Sequence, residues 1–389
     1  MEGRRICFVM GGYFEQAQGG AEYQAYLLAR RLIELGHDVH YIHADTGRPF
    51  KPSLPLVLHS IRRGILGKRL PRYAFMWEAA QVAGILRQID PDIVYQRGAQ
   101  AYTWAAGSYA RATGKCLVWH IAHENDVSPL QWNWRNLLYG RSLEKRLVAS
   151  GIRNAEIIVA QASYQDRLLQ KHYGRRASGV IPNFHPVPQG GVCKDRERVT
   201  VLWVANLKAW KQPMAFLALA EAFRNRCDVR FLMVGRGSGR TERVIRDRER
   251  ELNNFQYLGE VSQDEVNALM SRAHVFVNTS RAEGFPNTFI QAWLNKVPVL
   301  SLHVNPDEVL TREGIGLCSG SIEQLIRDCG TLIDDAEQRS AMGERARVYA
   351  EEAHSVERNV DRLLQLIEAW ERRASRKLHG ERAKERECL

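Results

Sequence analysis

Residues 5–44 read RICFVMGGYFEQAQGGAEYQAYLLARRLIELGHDVHYIHA, and the pattern in this stretch decides the fold. The apolar run at 5–10 has the length and bounds of a buried strand. A loop carrying Gly11-Gly12 and Gly19-Gly20 follows. Ala21, Ala25, Leu28, Leu32 and Leu35 then recur on one face of a helix that ends at Gly36, the residue type that accepts a left-handed cap without strain. A second apolar run, 38–44, supplies the next strand. Strand, glycine loop, helix, strand is the opening of a parallel α/β unit.

Working outward, further strands are predicted at 92–96, 115–122 and 156–160, with helical patterns between most of them. The second half restarts the same grammar: a strand at 199–205, a helix at 213–223, then strands at 229–234, 255–258, 274–278 and 297–302. Between the halves, 186–198 holds Pro186 and Pro188, Gly190-Gly191 and a charged run, which reads as a linker. The expected organisation is α/β throughout: a first Rossmann-like domain over 1–187, a linker at 188–198 and a second over 199–354. A helix at 355–376 has Val356, Val360, Leu363, Leu364, Ile367 and Trp370 on one side, and a charged tail at 377–389 is expected to be disordered.

The chain has 389 residues, 45% hydrophobic and 25% charged, enough for a sizeable core in each of two domains. No apolar run approaches the ~20 residues a membrane-spanning helix needs. The first ten residues have a basic start and a short apolar run, but no small-residue cleavage site follows, so a strand is expected there rather than a leader. The seven cysteines form no Cys-x-x-Cys pair, which argues against structural zinc and a disulfide framework and fits a reducing cytoplasm. The net charge of +11 suits nucleic acid, anionic lipid or a phosphorylated small molecule. The basic residues are spread along the chain rather than gathered in a known module, so nucleic acid ranks last.

The most informative residues follow the apolar strand at 274–278. In Ser280-Arg281-Ala282-Glu283-Gly284-Phe285-Pro286-Asn287-Thr288, Pro286 suits the first turn of a helix, where its missing N–H costs nothing. The amides near Asn287 and Thr288 then form an anion site suited to a diphosphate. Glu283 stands just before it, able to accept from sugar hydroxyls, and Gln291 lies two turns on. A second segment, Asn206-Leu207-Lys208-Ala209-Trp210-Lys211, puts two cations in the loop after a strand, where a pyrophosphate in the crevice would meet them. Gly19 and Gly20 let the first helix approach a ligand closely. His120 and His123 stand at the end of a strand, on opposite faces if it alternates; a buried core histidine is the plain alternative for each. Gly235-Arg236-Gly237 lacks the spacing of a dinucleotide fingerprint.

The 283–291 segment resembles the Glu-x7-Glu signature of retaining glycosyltransferases of family 4, also called group 1, which have the GT-B fold. The match runs through Glu-Gly-Phe-Pro-Asn-Thr-Phe into Val297-Pro298-Val299. Lys211 matches the lysine of the family's Gly-Arg…Lys-Gly element. Its arginine position is Asn206, with Lys208 as a second charge. Gly19-Gly20-Ala21-Glu22 resembles the Gly-Gly-Ala-Glu motif, His123-Glu124 the histidine-acid pair, and Val180-Ile181-Pro182-Asn183 the Ile-Pro-Asn element.

The resemblance implies two Rossmann-like domains with parallel sheets facing across a cleft, and a C-terminal helix returning to the first domain. It implies transfer of a sugar from a nucleoside-diphosphate sugar, UDP- or GDP-linked, to an acceptor hydroxyl with retention. Glu283, His123 and Lys211 are the implied catalytic residues. The implied donor-binding set is Gly20, Asn206, Lys208, Lys211, Gly235, Gly259, Val261, Glu283, Gly284, Phe285, Pro286, Asn287, Thr288 and Gln291. Gly19, Glu22 and His120 stand on the acceptor side. Gln291 replaces the family's second Glu, giving a ribose partner without charge. No cofactor and no metal are expected.

For the acceptor, 51–72 combines Leu54, Val57, Ile61 and Ile65 with Arg62, Arg63, Lys68 and Arg69. Such a segment can rest on an anionic membrane, which fits a lipid-linked or saccharide acceptor and a cytoplasmic enzyme peripheral on the inner face of the plasma membrane. Trp132, Trp134 and Tyr139 are candidate acceptor-side aromatics. The competing functions are a non-hydrolysing sugar-nucleotide epimerase and a catalytically weak nucleotide-sugar-binding protein.

Overall fold

The computed structural model describes residues 3–16, 19–47, 50–62, 74–128 and 141–387. By its contacts the chain divides into two compact units, Met1–Pro182 with Val356–Leu389, and Asn183–Ser355. Each unit is built on one parallel sheet.

In the first unit the order is β1 (Arg5–Val9), α1 (Gly20–Glu34), β2 (Asp38–Ala44), β3 (Val57–Ile61), α2 (Ala74–Ile89), β4 (Ile93–Arg97), α3 (Ala101–Thr113), β5 (Cys116–His120), α4 (Arg141–Arg153), β6 (Ile157–Ala160), α5 (Ser163–Tyr173) and β7 (Gly179–Val180). The strands lie in the order β3-β2-β1-β4-β5-β6-β7, and every pairing is parallel. Strands covered by helices on both faces read as continuous apolar runs rather than alternating ones. That is why β4, β5 and β6 are buried at every position.

The second unit runs β8 (Val199–Val204), α6 (Pro213–Ala222), β9 (Val229–Val234), α7 (Gly239–Glu251), β10 (Phe255–Tyr257), α8 (Gln263–Arg272), β11 (Val275–Asn278), α9 (Asn287–Leu294), β12 (Val299–Ser301), α10 (Val309–Arg312), β13 (Gly316–Cys318), α11 (Ile322–Asp334) and α12 (Ala336–Ala353). Its sheet order is β10-β9-β8-β11-β12-β13. One face buries Trp203, Phe216 and Phe231, the other Phe276, Phe289 and Trp293.

In both sheets the chain winds outward one way from the first strand and then returns to its other side. The switch falls between β1 and β4 in one unit and between β8 and β11 in the other. Loops leaving the carboxyl ends of the strands that flank a switch splay apart, and ligands of open α/β sheets bind there.

The last helix, α13 (Val356–Glu387), belongs to the first unit. It packs on α1 and β6 through Val360, Leu363, Leu364 and Ile367, all buried. Arg4 grips Glu371 with two parallel hydrogen bonds of 2.8 Å.

The helix departs from expectation at its end. Residues 377–387, whose charge pattern predicts a disordered tail, continue it; Glu, Arg, Lys and Ala are good helix formers, and a helix already nucleated propagates easily through them. Three strands, β3, β7 and β13, lack the continuous buried apolar run that marks the others: β3 is an edge strand buried only at Ile61, β7 has two residues, and β13 is buried only at Gly316. Residues 57–61, part of the segment whose composition suits a membrane surface, pair with β2 as an edge strand in which Ile61 alone is fully buried. Its later part, 63–72, and Trp132, Trp134 and Tyr139 lie outside the described residues.

Candidate functional site

The loops leaving β8 and β11, on either side of the second switch point, are tied together by one buried threonine. Thr279, fully buried directly after β11, accepts from the Trp203 indole N–H at 2.9 Å and donates to the Lys211 carbonyl at 2.7 Å. Its own carbonyl accepts from the Gln212 side chain at 2.8 Å. Gln212 sits at φ 49° and ψ 55°, a left-handed conformation that a non-glycine residue adopts at a cost of about 1–3 kcal/mol and that its surroundings must enforce. The amide of Arg281 completes the junction by donating to the Trp210 carbonyl at 3.0 Å.

This junction brings Lys211 and Glu283 into contact, although 72 residues separate them. Their side chains retain 17% and 12% of their exposure, so the pair is largely shielded from water and from salt. Ser280 donates to the same carboxylate at 2.7 Å. The Lys211 ammonium also lies 4.1 Å from the centre of the Trp210 ring. Burial pulls the Lys211 pKa below the usual lysine range, and Glu283 only partly offsets this.

Helix α9 begins four residues beyond Glu283. Pro286 is its N-cap, one place earlier than the first-turn position expected, with φ −66° and ψ 122°. Asn287 and Thr288 open the helix, half-buried, and their amides are among those a helix leaves outside its own ladder. The turn before them is held from behind. The Asn183 side-chain nitrogen donates to the Phe285 carbonyl at 2.7 Å and to Asn287 Oδ1 at 2.8 Å. Gln291, on the same helix, is buried and donates to Asn267 of α8 at 3.0 Å.

The glycines at the ends of β9 and β10 bring those loops close to the junction. Gly235 donates to the Gly259 carbonyl at 2.8 Å. It sits at φ +146°, where an added Cβ would fall 1.8 Å from the Ala205 carbonyl oxygen. The Leu207 amide donates to Arg236 at 2.9 Å. Asn206 and Lys208 thus lie one loop away from Gly235, with the Lys208 side chain in solvent. Val261 is half-buried against the sheet core. Lys211, Glu283, Asn287 and the 206–208 loop therefore all lie beyond the carboxyl ends of the central strands β8 and β11.

The remaining candidates lie in the first unit. Gly19 is the N-cap of α1, and the Glu22 carboxylate folds against it so closely that a Cβ on Gly19 would meet Oε2 at 2.1 Å. Gly20 is the first residue of that helix. His120 ends β5 and is buried, its Nδ1 within 2.9 Å of the Tyr95 hydroxyl and 3.2 Å of Arg97. Burial first, and the Arg97 charge second, push its pKa well below the usual histidine range, so the ring is neutral. The alternation expected to separate His120 from His123 fails because β5 stops at His120. His123 instead caps the 3-10 turn Glu124–Val127, its Nδ1 accepting from the Asn125 amide at 3.1 Å. Beside that turn is a cavity of about 490 Å³ lined by Ala99, Asp126, Lys145, Val148 and Tyr173, among others.

Sequence reasoning assigns no role to Thr279, Ser280, Gln212 or Asn267. Ser280 alone leaves a local signal, a hydroxyl three residues before a carboxylate.

The second sheet is doubly wound, with a lysine, a carboxylate and a helix N-terminus at its switch point. The model for family 4 glycosyltransferases matches residues 18–186, and the model for group 1 glycosyl transferases matches residues 198–335. The chain belongs to this family, the group 1 glycosyltransferases of family 4, and is an enzyme of the transferase class. It is 25% identical over 347 residues to a subunit of human phosphatidylinositol N-acetylglucosaminyltransferase, a match covering 82% of this chain and 66% of that protein's length.

Among solved structures, sucrose-phosphate synthase from Thermosynechococcus elongatus superposes with a TM-score of 0.78 at 14% identity, covering 94% of this chain and 99% of the other. Anabaena HepE in complex with UDP-glucose gives 0.71 at 18%, covering 94% and 100%. These likenesses establish the GT-B fold. No helix among the described residues is long and apolar enough to cross a membrane.

Proposed function

We propose that the protein transfers a sugar from a nucleoside-diphosphate sugar, UDP- or GDP-linked, to an acceptor hydroxyl, with retention at the anomeric carbon. The observation that carries this reading is the shielded Lys211–Glu283 contact at the switch point, one turn from the N-terminus of α9. As the glycosidic bond breaks, negative charge grows on the departing diphosphate. Lys211, Lys208 and the amides of Asn287 and Thr288 stand to stabilise it, and preorganised donors in a shielded site are the largest source of such stabilisation. Glu283, released from part of its contact with Lys211 when the phosphate arrives, accepts from the donor sugar's hydroxyls. Gln291 holds the ribose. In this reading the acceptor attacks from the face the leaving group departs, the phosphate takes its proton, and no metal ion is needed.

The acceptor is a saccharide or lipid-linked saccharide of cell-surface polysaccharide, lipopolysaccharide or glycolipid synthesis. The phosphatidylinositol in the human relative's name and the basic, apolar composition of 51–72 support a lipid-borne substrate, met by a cytoplasmic enzyme peripheral on an anionic membrane. Incubation with UDP- and GDP-sugars should release nucleoside diphosphate only when an acceptor is present, and NMR of the product should show the donor's anomeric configuration. Inversion would refute the mechanism. Nucleotide release indifferent to acceptor, together with isomerisation of the sugar, would favour the epimerase instead.

A further inference from the structure

We infer that Asn183 is a positioning residue for the diphosphate: it decides which end of the Asn287 side-chain amide faces the ligand. This rests on the nucleotide-sugar reading above and adds to it a residue that touches no substrate.

The inference follows from donor and acceptor chemistry. A backbone carbonyl can only accept, so the Asn183 atom 2.7 Å from the Phe285 oxygen must be the N–H-bearing nitrogen. An amide nitrogen carries two hydrogens. The second points to Asn287 at 2.8 Å, so the Asn287 atom there must be its oxygen. The Asn287 amide is thereby oriented by its neighbour, with its –NH2 directed away from Asn183. Asn287 is the first residue of α9. In this orientation its side chain adds a donor to the helix amides; rotated by half a turn it would set a carbonyl oxygen against phosphate oxygens.

Asn183 is itself held rigidly. It is 5% exposed, and His354, which donates to its carbonyl, is 1% exposed. That bond is 2.6 Å long and comes from His354 Nδ1. Burial lowers the His354 pKa to about 4, so the ring is neutral at physiological pH and its hydrogen lies on Nδ1. The amide of His185 donates to the His354 carbonyl at 3.1 Å, and the His354 ring packs 4.9 Å from that of Phe285. Asn183 and His185 are thus both fastened to His354, the one through its ring and the other through its carbonyl, and that ring also packs on Phe285 of the turn before α9.

The test is calorimetric titration of the full chain with UDP and with GDP. The variants are Asn183→Asp, Asn287→Ala, Asn287→Asp, the double variant Asn183→Asp/Asn287→Ala, and Lys211→Ala, each with its melting temperature. Asn183→Asp keeps the shape but cannot donate to Phe285 or Asn287, and should weaken nucleotide binding at least about tenfold, the size of losing one hydrogen bond to a charged group. In the Asn287→Ala background the same change should cost markedly less, because only its loss of the Phe285 bond remains and the part that runs through Asn287 is already gone. Should Asn183→Asp fold poorly, Asn287→Asp at the half-exposed position presents a carboxylate oxygen to the phosphate and should lose affinity by at least as much. Wild-type affinity in Asn183→Asp or Asn287→Asp, or equal losses from Asn183→Asp in both backgrounds, overturns the inference while a Lys211→Ala defect leaves the nucleotide reading standing. Wild-type affinity in Lys211→Ala, or binding of neither nucleotide to the wild type, overturns the reading itself.

Discussion

Glu283 accepts from Ser280 and meets the Lys211 ammonium through the same carboxylate oxygen, Oε1. Glutamine keeps the size and an acceptor for both but removes the charge. Glu283→Gln should therefore fold normally by circular dichroism and lower kcat about a hundredfold or more, as loss of one transition-state contact does. Activity within twofold of wild type would remove Glu283 from the reaction. Gln291 tests ground-state binding. Its amide is buried beside Asn267, and Gln291→Leu should raise the donor KM about tenfold, the cost of one neutral hydrogen bond, with kcat unchanged. A fall in kcat instead would mean that the ribose contact is made only in the transition state. At this scale the sequence discloses the chemistry-bearing residues, because Glu283, Lys211 and Asn287 belong to short local motifs. It does not disclose Thr279, Asn183 acting on Asn287, or His354. Their bonds join residues 68, 104 and 171 positions apart, and no window of sequence contains both partners.

The elements follow the same division. Strands buried on both faces and the amphipathic α1 and α13 can be read directly, since their apolar spacing is the local imprint of what covers them. The register by which helices approach one another leaves a fainter trace, often a single glycine. Gly107 of α3 and Gly151 of α4 lie back to back; a Cβ on Gly151 would fall 2.2 Å from the Thr103 carbonyl oxygen and 2.7 Å from the Trp104 nitrogen. Both obstacles are backbone, so the two helices would have to separate. Gly151→Ala should cost about 3 kcal/mol, at the upper end of overpacking in a filled core, read as a lowered urea midpoint with unchanged m-value. Gly84→Ala in α2 is the control. Nothing lies within 4 Å of its added Cβ, and alanine is the better helix former by up to about 1 kcal/mol, so it should be neutral or stabilising. A Gly151→Ala variant as neutral or stabilised as Gly84→Ala would mean that helix propensity, not the α3–α4 approach, sets the effect.

Across the whole molecule the same doubly wound plan occurs twice, and the second copy holds three buried histidines bonded to its backbone. His354 donates to Asn183, His185 donates to the Pro186 carbonyl at 2.9 Å, and His274 bridges the Thr200 amide at 3.0 Å and the Asp195 carbonyl at 2.9 Å. Burial holds each near pKa 4, against about 6.5 in an unfolded chain. At pH 7 all three are neutral in the folded protein and mostly neutral in the unfolded chain, so their protons bear little on stability. Between about 6.5 and 4 the unfolded chain takes up protons that the folded one refuses, so stability falls as pH falls. Each ring contributes up to about 1.4 kcal/mol per pH unit across that window. Three together are on the order of 4 kcal/mol per unit, against a total stability of about 5–15 kcal/mol. The urea midpoint of the Asn183–Ser355 unit should therefore drop steeply from pH 6.5 to 5 and change far less from 7 to 8, where burial of Lys194, which lowers its pKa to about 8, makes stability rise slightly with pH. His274→Asn should soften the slope by about one proton. A midpoint that does not change from pH 7 to 5 would mean that these rings are already charged in the folded protein, and the neutral His354 that anchors Asn183 would be lost with it.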